Sequence, residues 1–371
     1  MDEPSTGLGT RLPPGWDDHW SGVWSSEQRS PLRPALVTRI DKGGITVSES
    51  RGEERLVIAA KGARRVVVGD MVALDADAGR IEEILPRRTV FERRSPGVAR
   101  DQVQISSRPL ASNMDTVLVL QPLERGVNLA RLARELVLSW ESGATPVVVL
   151  TKTDLVTAED RESQRAAAQS FAPDTEVLCV STRSEAGLAE LESKIDTESV
   201  IALMGTSGAG KSSLVNTLAG RPVQLTADVR ETDRKGRHTT TAGQIVELRD
   251  GSLLIDTPGI RGVGLWAADE GFEKAFSDLS PFAQSCRFDD CTHTNEPGCG
   301  VLRAVESGGL ARERLDVFHA LAAELDELEE GIEVLDRHRR RERNQRSRRR
   351  VQSRDSGGHS DDDGSSDSNE D

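Results

Sequence analysis

The stretch Gly205-Thr-Ser-Gly-Ala-Gly-Lys-Ser212 decides the fold, with the apolar run Val200–Met204 before it and Lys211–Leu218 after it. It matches G-x-x-x-x-G-K-[ST] without substitution. Val200–Met204 reads as a buried strand. Leu214, Val215 and Leu218 share one side of a following helix. In a strand, Gly-rich turn and helix, the backbone N–H groups of Gly205, Thr206, Ser207, Gly208, Ala209, Gly210 and the first helical turn, Ser213 included, point at a polyphosphate. Glycine lets the backbone approach without a Cβ in the way. Lys211 places a positive charge on the β- and γ-phosphates, and the Ser212 hydroxyl is a ligand for Mg²⁺.

Two further stretches name the base. Thr151-Lys-Thr-Asp154 ends the apolar strand Pro146–Leu150. A carboxylate at Asp154 accepts from the N1–H and the exocyclic amine of guanine, a donor pair that adenine lacks. The Lys152 stem is placed to pack on the flat base. Asp256-Thr-Pro-Gly259 ends a second strand, Leu253–Ile255. There Asp256 can hold Mg²⁺ through water, and the Gly259 N–H can meet the γ-phosphate. Each motif taken alone also reads as an ordinary turn. Together, each at the C-terminal end of a strand, they predict a GTP site on an open α/β sheet.

Asp154 precedes Gly205 in the chain, whereas the usual GTPase places its phosphate loop first. The G domain is therefore circularly permuted. Near the other end, Cys286, Cys291, His293 and Cys299 follow C-x₄-C-x-H-x₅-C. Three thiolates and an imidazole form a closed tetrahedral set for one structural Zn²⁺.

This order, with GRHTTT at Gly236–Thr241, DTPGIRGVGLW at Asp256–Trp266 and CRFDDCTHTNEPGCGV at Cys286–Val301, resembles the ribosome small-subunit-dependent GTPase A family from about Pro34 to Leu335. The resemblance implies GTP hydrolysis to GDP and phosphate by in-line water attack. It further implies stimulation by the small ribosomal subunit, contact with that subunit's rRNA and a role late in its maturation. It places the second base-contacting loop at Ser181 and Thr182. It points to His238 as the residue that orients the attacking water, because Ile260 follows DTPG where many GTPases carry a Gln nearby. A Thr of the same loop completes the Mg²⁺ shell, with Thr240 favoured over Thr239. Thr151 stands where many GTPases carry the Asn that braces the nucleotide loop.

The rest of the chain fits a multidomain architecture. Residues 1–33 form a polar arm, whose Trp16, Trp20 and Trp24 either dock it or leave it mobile. Residues 34–86 alternate with a period of two in short strands, Ala35–Ile40, Ile45–Ser48, Arg55–Ala59, Met71–Leu74 and Arg80–Ile84, and suit an OB-like β-barrel. The barrel lacks an aromatic stacking platform, so an RNA role rests on the resemblance. Residues 87–114 read as an arginine-rich linker. Residues 115–272 alternate strand and helix and form the permuted α/β P-loop G domain. Residues 273–335 form a mainly α zinc-binding domain. The tail, 336–371, is arginine-rich and then acidic, and is expected to be disordered. Because the chain runs from Asp256–Gly259 almost directly into the zinc segment, ordering of that switch is expected to re-aim the segment.

Composition narrows the class. The net charge of −14 argues against a uniformly basic nucleic-acid binder. Four cysteines, three of them between Cys286 and Cys299, point to a reduced compartment and a metal site rather than a disulfide scaffold. With no apolar segment of spanning length and no signal-like start, a cytoplasmic monomer without a membrane partner is expected. The rivals are a permuted GTPase of the large subunit, an RNA-binding module that uses GTP as a folding ligand, and a P-loop kinase.

Overall fold

The computed structural model describes residues 12–24, 29–41, 43–59, 65–99, 102–223, 243–256, 265, 267–328 and 330. His238, Thr239, Thr240, Gly259 and the tail lie outside these residues.

Strands β1 (Arg33–Asp41), β2 (Gly44–Ser50), β3 (Glu53–Ala59), β4 (Met71–Asp75) and β5 (Arg80–Ile84) form the barrel. Their order is β1-β2-β3-β5-β4, and β4 pairs back onto β1, which closes it. Period-two alternation sends Ala35, Val37, Val47, Val57, Val72, Leu74 and Ile81 into one apolar interior. This is the OB-like barrel read from the strand spacing.

The G domain contributes β8 (Thr116–Pro122), β9 (Thr145–Thr151), β10 (Glu176–Val180), β11 (Val200–Gly205), β12 (Gly243–Glu247) and β13 (Leu253–Asp256). In the order β10-β9-β8-β11-β13-β12, the first five strands are parallel and β12 is antiparallel to β13. Helices cover both faces, so neighbouring residues of one strand enter different cores. Val117 and Val119 of β8 join Leu132, Leu136 and Val137 of α2 (Leu129–Glu141). Leu118 and Leu120 meet Leu191 of α4 (Leu188–Lys194) and Leu214 of α5 (Lys211–Ala219) on the other side. Helix α3 (Ala158–Phe171) adds Ala168 and Phe171 to the first core.

The barrel and this sheet are continuous. Arg39 and Ile40 of β1 pair with Gln244 and Gly243 of β12. Arg51, at the β2–β3 turn, reaches Glu247 and donates to the Gly251 carbonyl at 2.9 Å. At the other contact the fully buried Asp70 accepts from Arg87 Nε at 2.7 Å, Ser112 Oγ at 2.6 Å and Val67 N at 2.8 Å. Gly69, at φ +92°, lies so close that a Cβ would sit 2.1 Å from the Ser112 carbonyl oxygen.

Two expectations change. Where the sequence suggests a linker, residues Val90–Ala99 (β6) and Gln102–Ser112 (β7) pair as an antiparallel two-stranded sheet. The run Arg93-Arg-Ser-Pro-Gly97 inside β6 carries the charge and turn residues of a connector, and the root residues Phe91 and Ala111 are buried. The arm, left open between docked and mobile, is docked over residues 12–24. Its helix α1 (Asp18–Val23) is capped by Asp17, Trp20 is fully buried, and the Arg88 guanidinium lies 5.0 Å from the Trp20 ring centre.

The C-terminal module comprises α6 (Asp269–Ala275), α7 (Ser280–Ala283), α8 (Gly300–Glu306) and a helix over 312–328. Phe272, Phe276 and Phe318 form its aromatic centre, with ring centres 4.9–5.3 Å apart. Helix α6 straddles the boundary drawn between 272 and 273 and packs tightly on α2. Gly271 N donates to Glu141 Oε2 at 2.8 Å, and a Cβ on Gly271 would lie 2.2 Å from the Val137 carbonyl oxygen. Arg314, fully buried, pairs with Asp278 at 2.7 Å and stacks between Phe171 of α3 and Phe276. The module is thus seated on the G domain through α2 and α3.

Candidate nucleotide site and metal centre

Parallel strands place three loops side by side, because all their C-terminal ends face the same way. Gly205 of β11 lies level with Leu120 of β8, and Pro122 of β8 is level with Thr151 of β9. The phosphate loop rises from the middle of the sheet. Gly205, Gly208 and Gly210 have φ of +139°, +78° and +92°, the region that favours glycine. At Gly205 space is also short, since a Cβ would stand 2.7 Å from the Leu120 carbonyl oxygen. Gly210 turns the chain into α5, whose first turn carries Lys211, Ser212 and Ser213. The Lys211 ammonium donates to the carbonyls of Gly205 at 2.9 Å and Thr206 at 2.5 Å, so it already lies across the loop it serves.

The loop predicted to read the base is tied down at Thr151, Lys152 and Asp154. Thr151 Oγ1 donates to the Ala209 carbonyl at 2.7 Å, and both residues are buried. This is the brace that the Thr for Asn departure put in question; a shorter side chain supplies it with its hydroxyl. Lys152 takes a left-handed backbone, φ 59° and ψ 38°, and its Nζ donates to Glu124 Oε1 at 2.7 Å. Asp154 Oδ1 accepts from Ser181 Oγ at 2.6 Å, and that hydrogen bond holds its carboxyl below the usual range. Ser181 is fully buried, and its Oγ also accepts from the N–H groups of Arg183 and Ser184. Thr182 follows it in the same loop. The loop folds back at Gly187, where a Cβ would meet the Cys179 carbonyl oxygen at 1.9 Å. Asp256 ends β13, beside the phosphate-loop strand.

This arrangement offers backbone donors and a lysine to phosphates, a hydroxyl and a carboxylate as hard oxygen ligands suited to Mg²⁺, and an ionised acceptor for a base. The reading from sequence missed two neighbours of the site. Glu124 sits on the short turn Leu123–Arg125 after β8. Glu135 lies buried on α2, where its Oε2 accepts from Gln121 Nε2 at 2.6 Å. Burial pushes its carboxyl up to about 7, against the pull of Arg131, Lys211 and Gln121. Neither belongs to a motif, so no spacing could have marked them.

The four predicted metal ligands converge. Cys286 Sγ is 3.8 Å from Cys299 Sγ and 3.6 Å from His293 Nδ1, and Cys299 Sγ is 3.4 Å from the same nitrogen. All four ligand atoms, that of Cys291 included, lie within 4.8 Å of one another. A Zn²⁺ tetrahedron with ~2.3 Å Zn–S and ~2.0 Å Zn–N bonds needs edges of about 3.8 Å between sulfurs and about 3.5 Å from sulfur to nitrogen. The set fits such an ion. Glu296 is not in the set. Its carboxylate accepts from Thr292 N and Oγ1, Thr294 N and Asn295 N, which hold it down at about 2 and shape the loop around His293.

Among the described residues, no helix is long and apolar enough to cross a membrane. Residues 84–266 match the model of the RsgA GTPase family. The chain is 39% identical over 324 residues to "Small ribosomal subunit biogenesis GTPase RsgA" of Streptomyces coelicolor, covering 84% of this chain and 85% of that one. With the protein of the same name from Methanosarcina acetivorans, identity is 40% over 344 residues, covering 89% and 90%. Among solved structures, YjeQ from Thermotoga maritima superposes with a TM-score of 0.61 at 25% identity, over 79% of this chain and 98% of that one. YloQ, described as a circularly permuted GTPase, superposes with a TM-score of 0.58 at 22% identity, over 82% and 98%. The permuted order of the motifs, the closed barrel, the converged cysteine–histidine set and these similarities together make the chain a member of the RsgA GTPase family, a GTP hydrolase.

Proposed function

We propose that the protein binds the small ribosomal subunit, acts late in its maturation in the cytoplasm as a monomer, and hydrolyses GTP faster when the subunit is bound. The observation that carries this reading is the 39–40% identity to relatives named for small-subunit biogenesis, over more than four fifths of the chain. In this reading Asp154 selects guanine, Ser181 and Thr182 flank the base, and Gly205–Ser213 cradle the phosphates. Ser212 and Thr240 ligate Mg²⁺ with Asp256 behind them, and Gly259 meets the γ-phosphate. Mg²⁺ would neutralise charge on the β- and γ-oxygens. His238 orients the attacking water, a contribution of position more than of proton affinity. The cysteine–histidine centre holds one structural Zn²⁺, since four protein ligands leave no position open for chemistry. Contact with rRNA follows the same reading, with the arginine-rich run Arg337–Arg354 as an electrostatic footprint.

The test is steady-state GTP hydrolysis alone, with small subunits, with large subunits and with free RNA. Stimulation by small subunits only, lost in His238→Ala while GTP binding persists, is expected. Equal rates in every mixture, with tight GTP binding retained, would refute the subunit-triggered reading and favour a binding module.

A further inference from the structure

We infer that Glu124 is a positioning residue for the guanine base, acting through Lys152. The two side chains meet at 2.7 Å, from turns that parallel pairing of β8 with β9 sets side by side. Leu123, buried, anchors the first turn, and Gly126 at φ +74° closes it. Lys152 leaves its own turn from a left-handed backbone that a non-glycine residue holds only when its surroundings impose it. A lysine stem has four rotatable carbons and is mobile when only its backbone is held. With its ammonium held on Glu124 and its Cα fixed by the turn, both ends of the stem are fixed. The methylenes between then form a preset wall for a flat base.

The pattern across the loop supports this. Thr151 is bound to the phosphate loop, Asp154 to the loop after β10, and Lys152 to the turn after β8. Each reading residue is tied to a different neighbouring element, and Glu124 is the one partner that no motif contains. Both side chains are partly exposed, and Arg125 also approaches Glu124 at 3.6 Å. A partly exposed pair of this kind contributes little to folding. Its effect falls on the entropy of ordering the stem when nucleotide binds.

The inference rests on the assignment of Thr151–Asp154 as the base loop, so the experiment separates the two. Affinities for GDP and IDP, which lacks the 2-amino group, are measured by titration calorimetry on the full chain for wild type, Glu124→Ala, Lys152→Met, their double variant and Asp154→Ala. Glu124→Ala is expected to weaken GDP and IDP alike by about fivefold, because the wall serves any purine. Its melting temperature should stay that of wild type. The deficit should shrink toward onefold at 1 M salt, as screening of an exposed pair requires. Glu124→Ala should add nothing on top of Lys152→Met. Asp154→Ala should instead erase the preference for GDP over IDP. Unchanged or tighter binding in Glu124→Ala, with that preference lost in Asp154→Ala, overturns the role of Glu124 alone. A preference that survives Asp154→Ala overturns the base-loop assignment beneath it.

Discussion

Thr151→Val tests the link between base loop and phosphate loop. The substitution keeps shape and removes one donor, the hydroxyl that reaches the Ala209 carbonyl at 2.7 Å. Ala209 is fully buried, so water cannot take over that acceptor. Leaving a buried acceptor unpaired costs about 1–3 kcal/mol. Part of this appears as lower folding stability. The rest appears in binding, because a phosphate loop no longer tied to β9 spends less time in the competent conformation. Apparent affinity falls in proportion to that fraction. A loss of about 1.4 kcal/mol would raise the GTP dissociation constant about tenfold. At saturating GTP the nucleotide itself holds the loop, so kcat should change little while KM rises. The assay pairs equilibrium binding of a fluorescent GTP analogue with hydrolysis rates over a range of GTP. Thr151→Ser keeps the donor and should behave like wild type. A Thr151→Val variant that loses stability but binds GTP within twofold of wild type would refute the coupling and leave the bond a packing feature.

Three further outcomes are expected. Glu135, an acid raised to about 7 from an ordinary 4.5, binds a proton in the folded state over a range where the unfolded chain has lost it. Stability therefore falls as pH rises from about 4.5 to about 7, by an amount on the order of 3 kcal/mol, and the penalty persists above that range. Glu135→Gln should raise the melting temperature at pH 8 and leave it unchanged at pH 4; equal effects at both would contradict the buried carboxyl. Arg314→Ala leaves Asp278 without its cation and opens the slot between Phe171 and Phe276, so about 3 kcal/mol should be lost. Proteolysis should then cut the 312–328 helix first, and full resistance would argue against this seat. Cys299→Ser removes a ligand whose Sγ also accepts from Leu302 N at the start of α8. Zinc content measured by mass spectrometry should fall from about one per chain toward zero, with protease cleavage rising between 286 and 306; a full complement of metal would refute the four-residue set.

Much of the site was legible in the sequence because its chemistry is local. Glycines with positive φ, a lysine at a helix start and a carboxylate after a strand must stand at set spacings wherever the loop occurs, so Gly205–Ser212 and Thr151–Asp154 announced themselves. The same holds for Cys286, Cys291, His293 and Cys299, which one ion must reach from a single short segment. Period-two alternation marked each barrel strand, and apolar runs marked the parallel strands. The β6–β7 pair escaped because Arg93-Arg-Ser-Pro-Gly97 puts charge and turn residues inside β6, so the sequence there reads as a connector although it pairs with β7.

What only the tertiary structure decided is who stands next to whom. That a threonine can brace a phosphate loop depends on the 2.7 Å between Thr151 and Ala209, residues brought together by β8, β9 and β11 in register. The seating of the C-terminal module on α2, through Gly271 and Val137, likewise joins distant parts of the chain. It shows that the C-terminal module is packed on the G domain as well as joined to it in sequence. Glu124 and Glu135 are ordinary residues in sequence. One acquires a role from the lysine across the turn, the other a raised proton affinity from burial beside Gln121. Local motifs are set by bond geometry within a few residues, whereas these partnerships are set by packing between elements. Sequence alone therefore named the chemistry and left its supports to the fold.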